Sequence, residues 1–190
     1  MRISDIINND SVEIGAELCS KDEALERLTA IHRRLGNIYN SSDFLDKLKE
    51  HEEEHNSAVA CRIAIPALSD SAARNTRISA ITVRGGVEYG APDHKKVKLI
   101  FLIAGRDNNE ELLRLRTRLM RLLMDAGFTA RLGSADSAEE FVALIKEQEQ
   151  TRFAREWKDA YDCSKFLIEN KKKRHLPGRV RERFIKHKSR

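Results

Sequence analysis

The sequence has little cysteine, no internal repeat and no low-complexity tract outside its C-terminus. Its three cysteines, Cys19, Cys61 and Cys163, lie 42 and 102 residues apart and form no Cys-x-x-Cys motif and no Cys/His cluster. This spacing argues against a disulfide framework and against a zinc site. We therefore interpret the cysteines as reduced thiols, and we predict a protein without a bound metal or cofactor.

Long hydrophobic runs are also absent. The longest run, VKLIFLIAG at Val97–Gly105, has about half of the roughly 18 apolar residues that a membrane-spanning helix needs. It is rich in β-branched and aromatic residues, so it predicts a central strand that is buried on both faces. The first ten residues, MRISDIINND, contain no apolar stretch typical of a signal peptide. We expect a cytoplasmic protein.

Positive charge is concentrated at the C-terminus. Residues 171–190 contain ten Lys or Arg and a single acid, Glu182. Their net charge of +9 leaves −4 for residues 1–170, because the whole chain carries +5. A basic tail can bind nucleic acid, anionic lipid or an acidic protein face, and a simply solvated tail is equally compatible with the pattern. The tail residues that we single out are Lys171, Lys172, Lys173, Arg174, Arg179, Arg181 and Arg183.

Capping motifs and apolar periodicity predict several helices. Ser20-x-x-Glu23 and Ser137-x-x-Glu140 are capping boxes, in which each side chain can accept the other residue's backbone N–H. A further helix is predicted to begin near Ser42, with an acidic outer face. The stretch NNEELLRLRTRLMRLLMDAG has acids in its first turn and basic residues later. It therefore predicts a helix that ends at the glycine closing the stretch, Gly127.

Strand patterns alternate with these helices. A short apolar strand at Arg62–Ile65 is followed by Pro66 and a predicted polar loop. The stretch TRISAITVRGGVEYGAPD alternates apolar and polar residues around Gly85-Gly86, and this pair predicts a tight hairpin turn. Together with the run at Val97–Gly105, this order predicts an α/β domain in which helices flank a mixed β-sheet.

Three stretches of the sequence carry a family resemblance: HEEEHNSAVACRIAIPA at His51–Ala67, GVEYGAPDHKKVKLIFLIAG, and SADSAEEFVALI. They resemble the type 2 enzyme IIA family of the sugar phosphotransferase system, which includes mannitol, fructose and nitrogen-regulatory proteins. The first stretch is similar, without a gap, to the family's active-site segment R-E-x-x-x-S-T-x-I-G-x-G-I-A-I-P-H. The resemblance covers residues 1–148 and implies the same α/β fold.

The resemblance fails at the positions that carry the chemistry. In the family, the histidine after Ile-Pro accepts a phosphoryl group from a histidine phosphocarrier protein and passes it to a IIB partner. On this chain that position is Ala67, which has no nucleophile. The family's second histidine falls on Leu112, and its arginine falls on His51, which offers no permanent charge and no guanidinium fork. The resemblance therefore implies a phosphoryl relay without its reactive groups.

Neighbouring side chains leave other interpretations open. A Ser-Asp-Ser loop from Ser69 to Ser71 follows Ala67, and His51 and His55 precede it, so any of these side chains could be a displaced phospho-acceptor. Ordinary turn chemistry and a solvated helix face explain them as well.

Two further sites rest on weaker patterns. His51 and His55, together with Glu52 and Glu54, have the spacing of a metal site, although histidines on a glutamate-rich helix are more often solvated. Arg62 replaces a family glycine, and a cation there could bind phosphate or an acidic partner. The partner-binding candidates are Arg62, Ala67, Ser69, Asp70 and Leu112.

We predict three parts: an enzyme IIA type 2-like domain at residues 1–148, a C-terminal helix at 149–170 and the basic tail at 171–190. Phe153, Trp157 and Tyr161 lie close to one face of that helix, which would pack on the domain or on a second subunit, so a homodimer stays open.

These observations predict a catalytically inactive, enzyme IIA-like regulatory protein that acts by binding another protein. The resemblance implies a transporter, a signalling protein or a phosphotransferase component as the partner. One alternative is a true phosphotransferase component with a displaced acceptor. Another is an adaptor that binds nucleic acid or acidic partners through the tail.

Overall fold

The computed structural model describes residues 1–106 and 108–154. Residues Met1–Glu149 form one compact unit. The strands are β1 (Val12–Ala16), β2 (Ala58–Val59), β3 (Ile63–Ala64), β4 (Ala67–Ser69), β5 (Arg77–Val87) and β6 (Val97–Gly105). The helices are α1 (Lys21–Arg34), α2 (Ser41–Glu54), α3 (Asn109–Leu123), α4 (Ala126–Gly133) and α5 (138–154, as far as it is described). The basic tail, Cys163, Trp157 and Tyr161 lie outside the described residues.

The sheet is mixed, as the sequence predicts. Its strand order is β1-β5-β6-β3-β2, and β4 also pairs with β6. Strands β3 and β4 run parallel to β6, β1 runs parallel to β5, and β5 and β6 are antiparallel. The predicted fold class is therefore confirmed.

Strand β6 is covered on both faces. Ile100 and Leu102 belong to the core that includes Leu28 of α1 and the inward residues of α2. On the opposite face, the Phe101 ring lies 5.9 Å, centroid to centroid, from the ring of Phe141 in α5. Because side chains alternate between the faces of a strand, burial of both faces requires the continuous apolar run seen in the sequence.

Strands β3 and β4 form one interrupted line beside β6. Pro66 stands between them, and its carbonyl accepts the Ile103 N–H at 2.9 Å. Proline has no N–H to donate, so the ladder is interrupted there and then resumes. The predicted polar loop after Pro66 is wrong at its start, because Ala67–Ser69 pair with β6.

The predicted hairpin turn at Gly85-Gly86 is also wrong. Both glycines lie inside β5, where the pairing with β6 shifts register between Thr82 and Val87. Gly86 has a φ of 70°, and a Cβ at this position would lie 2.8 Å from Cβ of Lys96. The glycine therefore permits a bulge and a close strand approach, and the chain turns later, between β5 and β6.

The helix predicted to stop at Gly127 ends earlier. Helix α3 ends at Leu123, and the Asp125 side chain accepts the Phe128 N–H at 3.0 Å as the N-cap of a separate helix, α4. Gly127 lies within α4. Asp125 is thus a helix-start signal between two helices that were predicted as one.

Both predicted capping boxes do begin helices, in a modified form. The Ser20 and Ser137 hydroxyls accept the N–H groups of Glu23 and Glu140 at 3.1 and 3.2 Å. The glutamate carboxylates reach past the cap and accept the N–H of the residue before it, at 2.8 and 2.9 Å. The boxes thus extend one residue further than the sequence motif specifies.

The division at residues 148 and 149 stays a prediction. Within the described residues, α5 runs from 138 to 154 with no break at 148, and Glu149 lies inside the compact unit. The predicted boundary therefore falls within a helix.

Candidate functional site

Ala67, Leu112 and His51 meet around one pocket. Ala67 opens β4, Leu112 lies in the first turn of α3, and His51 lies in the last turn of α2. The pocket has a volume of about 430 Å³. Its lining consists of His51, Ala67, Leu68, Ser69, Asn109, Leu112, Leu113 and Arg116. The positions that the resemblance aligned with the family's reactive residues are thus brought together in space.

The start of α3 is fixed to the end of β4. The Asn108 N–H donates to Oγ of Ser69 at 2.9 Å, and the Asn108 side chain accepts the Glu111 N–H at 3.0 Å as the N-cap of α3. Leu112 packs so closely on Gly105 that a Cβ there would lie 2.5 Å from the leucine Cδ1. Ser69 is therefore occupied in positioning the helix, and Leu112 is only 4% exposed.

The pocket has no nucleophile at either expected position, but it is polar. Nδ1 of His51 is buried and has no hydrogen-bond partner in the part of the chain that the structure describes. The Arg116 guanidinium has no ion pair or hydrogen bond with any described residue. A pocket with two such nitrogen-bearing side chains favours a ligand that accepts hydrogen bonds or carries negative charge.

Sequence reasoning missed Arg116. It stands four residues after Leu112, and side chains at this spacing occupy the same helix face, so the position could have been found from the alignment alone. Arg116 lines the same pocket as His51. The pocket therefore contains a guanidinium, although the position that aligns with the family arginine is occupied by His51.

Asp70 does not line the pocket. Its carboxylate pairs with Nζ of Lys47 at 2.9 Å and accepts the Ala72 N–H at 2.7 Å, which holds the turn after β4. Burial alone would raise the pKa of Asp70. The Ala72 N–H and the Lys47 ammonium together have the larger, opposite effect, so the pKa lies below its ordinary value. The side chain predicted for partner binding is already used within the fold.

Arg62 lies away from the pocket as well. It precedes β3, whereas Ala67 begins β4, so about five residues of extended chain, roughly 16 Å, separate them. Cys61 and Arg62 both adopt positive φ, at 71° and 65°, where a side chain costs about 1–2 kcal/mol per residue. Arg62 therefore belongs to a turn at the other end of this strand line.

The histidines and glutamates of α2, which the sequence favoured as a solvated face over a metal site, are not brought together as a set of metal ligands in the described residues. Glu52 points inward, is 1% exposed, and accepts hydrogen bonds from Oγ of Ser57 at 2.9 Å and from the Tyr89 hydroxyl at 3.2 Å. Burial, followed by the Glu52 charge, raises the pKa of Tyr89. The predicted acidic outer face of α2 is thus wrong at Glu52. No group of three or more His, Cys, Asp or Glu suited to a metal occurs among residues 1–106 and 108–154.

None of the described helices is both long and apolar enough to span a membrane.

Residues 5–148 match the family model described as "Phosphoenolpyruvate-dependent sugar phosphotransferase system, EIIA 2". The chain belongs to this family. The match covers the sheet, all helices up to α5 and the pocket around Ala67.

Individual relatives agree with this assignment. The mannitol-specific phosphotransferase enzyme IIA component of Bacillus subtilis is 28% identical over 145 residues, covering 75% of this chain and 97% of the relative. The fructose-specific EIIABC component of the same species is 20% identical over 151 residues, covering 79% of this chain but only 24% of that longer protein. The crystal structure of nitrogen regulatory protein IIA-Ntr from Neisseria meningitidis superposes with a TM-score of 0.70 at 24% identity, covering 75% of this chain and 98% of that one.

Proposed function

We propose that this EIIA 2 family protein is a binding module that no longer carries a phosphoryl group. The observation that supports this is the pairing of Ala67 and Leu112 in one pocket, since neither a methyl nor an isobutyl group can accept phosphate. The surrounding scaffold is intact, because β4, α3 and the Ser69–Asn108 contact hold the pocket in shape. A retained pocket that lacks a nucleophile at both family histidine positions suits recognition of another molecule.

The chemistry of the pocket indicates an acidic segment of a partner protein. Arg116 offers a guanidinium that is suited to a carboxylate, and His51 adds a second nitrogen-bearing side chain. Leu113 also lines the pocket and is 63% exposed, so its apolar side chain is accessible for packing against the partner around the charged contact. Regulation through such a contact is the role that we infer.

The first test is phosphorylation by the histidine phosphocarrier protein. Incubated with labelled carrier, the full chain is expected to remain unlabelled, because both family histidine positions lack a nucleophile and Ser69 already accepts the Asn108 N–H. The mannitol enzyme IIA component of Bacillus subtilis serves as the labelled control. Acid-labile label on any residue of this chain would contradict the proposal, and acid-stable label on Ser69 or Ser71 would support a displaced acceptor instead.

The second test restores the lost imidazoles. We expect the Ala67→His, Leu112→His double variant to be labelled at least about 100-fold more slowly than the mannitol control, because small misplacements of reacting groups cost about that much. Adding His51→Arg checks whether charge balance limits the reaction. Efficient labelling of either variant would mean that the carrier still docks, and would contradict a surface devoted to another partner.

A further inference from the structure

A second pocket, of about 400 Å³, lies beside the turn at Cys61 and Arg62. Its apolar part is formed by Leu99 of β6 and by residues from the end of α3 and from α4, including Leu123, Met124 and Ala130. Two cationic side chains, Arg62 and Lys98, lie at the same pocket. A volume of this size is typical of small-molecule sites, which are mostly apolar with a few polar groups.

The turn that presents Arg62 is strained and firmly held. Its residues Cys61 and Arg62 have φ values of 71° and 65°, a region that glycine adopts without cost. The Arg62 carbonyl accepts N–H groups from Lys98 at 2.8 Å and Leu99 at 3.2 Å, so the backbone is fixed in this conformation. An arginine retained where glycine would be less strained suggests that its side chain serves a purpose.

The positive charge of this region has no partner among residues 1–106 and 108–154. The side chains of Arg62, Lys98 and Arg84 form no ion pair or hydrogen bond with other residues in the described ranges. Arg84 lines an adjoining pocket of about 430 Å³, which shares Lys98, Gly133 and Ser134 with the first. One acid, Asp136, also lines the adjoining pocket. Among the residues that line the two pockets, three cationic side chains therefore stand against one acid, next to an apolar floor.

We propose that this pocket binds a small amphipathic anion, an apolar chain that ends in a single phosphate or carboxylate group. The anionic head would pair with Arg62 and Lys98, and the apolar chain would lie on Leu99, Leu123 and Ala130. Met124, at 69% exposure, would then be covered by the ligand. This site shares no lining residue with the pocket at Ala67, so the proposal does not depend on the proposed function.

Calorimetric titration of the full chain with octyl phosphate, below its micelle concentration, tests the proposal. We expect binding at least about tenfold tighter than for inorganic phosphate or 1-octanol, because each lacks one half of the contact. Octanoate, compared with octyl phosphate, distinguishes a carboxylate from a phosphate head. Equal binding of inorganic phosphate and octyl phosphate would overturn the apolar half of the proposal.

The decisive variant is Arg62→Gly. It removes the guanidinium and relieves the backbone strain, so the melting temperature should stay the same or rise while affinity for octyl phosphate falls about tenfold or more. Ala130→Leu, at an exposed helix position, should fill the apolar part and weaken binding without unfolding the chain. The matched control is Lys95→Ala, which removes a nearby exposed cation outside both pockets. Unchanged binding in Arg62→Gly would place the anion elsewhere, for example on the basic tail, and overturn the proposal.

Discussion

Replacement of Glu149 by alanine is expected to lower the free energy of unfolding by about 3 kcal/mol, because breaking a buried ion pair leaves its partner groups uncompensated. The Glu149 side chain is 1% exposed. One carboxylate oxygen accepts the Ile3 N–H and Nε of Arg118, both at 2.8 Å, and the other accepts the Ser4 N–H at 3.1 Å and hydroxyl at 2.7 Å. A single side chain thus ties the N-terminus to α5 and α3.

Denaturant unfolding of Glu149→Ala, Glu149→Gln and the control Glu147→Ala measures this effect. Glu147 stands two residues earlier on α5, is 66% exposed and approaches Arg131 at 3.9 Å, so its removal should cost less than about 1 kcal/mol. The glutamine variant should fall between the two, since it keeps one acceptor. Equal stabilities for Glu149→Ala and Glu147→Ala would contradict the structural role of Glu149.

The loss of folding stability at acidic pH should depend on the same residue, Glu149. Burial alone would raise the pKa of Glu149. The hydrogen bonds from the Ile3 and Ser4 N–H groups, the Ser4 hydroxyl and Arg118 together have the larger, opposite effect, so the pKa lies below its ordinary value. A lowered folded-state pKa gives stability that is present above the unfolded pKa and is lost as pH falls through the folded pKa. The stabilisation that Glu149 provides is therefore present above about pH 4.5, the ordinary range of a glutamate, and is lost as the pH falls further.

The sequence predicted those parts of the fold that local patterns specify. The run at Val97–Gly105 had to be buried on both faces because it contains almost no polar residue, and the structure places helices on both sides. Ser20 and Ser137 marked helix starts because a hydroxyl cap is a local contact. Gly85-Gly86 misled because the same glycine pair serves a hairpin or a bulge, and only pairing with β6 decides between them.

The candidate site was less predictable from residue patterns. The alignment of Ala67, Leu112 and His51 with family positions came from resemblance, and their meeting in one pocket depends on β4 pairing with β6. Arg62 and Ala67 were grouped as partner-binding candidates because they are close in sequence, but this proximity does not show that the two side chains line different pockets. Arg116 was missed because its signal, the four-residue spacing from Leu112, has a meaning only after Leu112 has been aligned with a family position.

A buried histidine, His32, should make stability fall between pH 7.5 and 5. It is fully buried in the last turn of α1, where Nε2 lies 3.4 Å from the Leu102 carbonyl and Nδ1 lies 3.4 Å from Nδ2 of Asn37. Burial lowers its pKa from 6.5 to about 4, the Leu102 carbonyl opposes this shift, and the Arg77 charge adds to it. The folded state therefore holds a neutral imidazole that donates to the carbonyl and accepts from the amide.

The sign of the effect follows from this lowered pKa. The unfolded chain takes up a proton near pH 6.5, whereas the folded chain resists protonation until about pH 4, so the stability present above pH 6.5 is lost as pH falls towards 4. We expect a loss of about 2 kcal/mol between pH 7.5 and 5, since one pKa unit corresponds to about 1.4 kcal/mol. Glu149 stays ionised in this window, so it adds a constant stabilisation and no pH dependence.

Denaturant unfolding at a series of pH values compares the wild type with two histidine variants. His32→Gln keeps an N–H donor for the Leu102 carbonyl but cannot titrate, so its stability should be nearly constant from pH 7.5 to 5, at a lower absolute value. His94→Asn removes an exposed histidine at a φ of 54°, a conformation that asparagine tolerates, and should keep the wild-type slope. If His32→Gln lost stability as steeply as the wild type, the imidazole would not be the group that titrates, and the slope would have to come from another site in the fold.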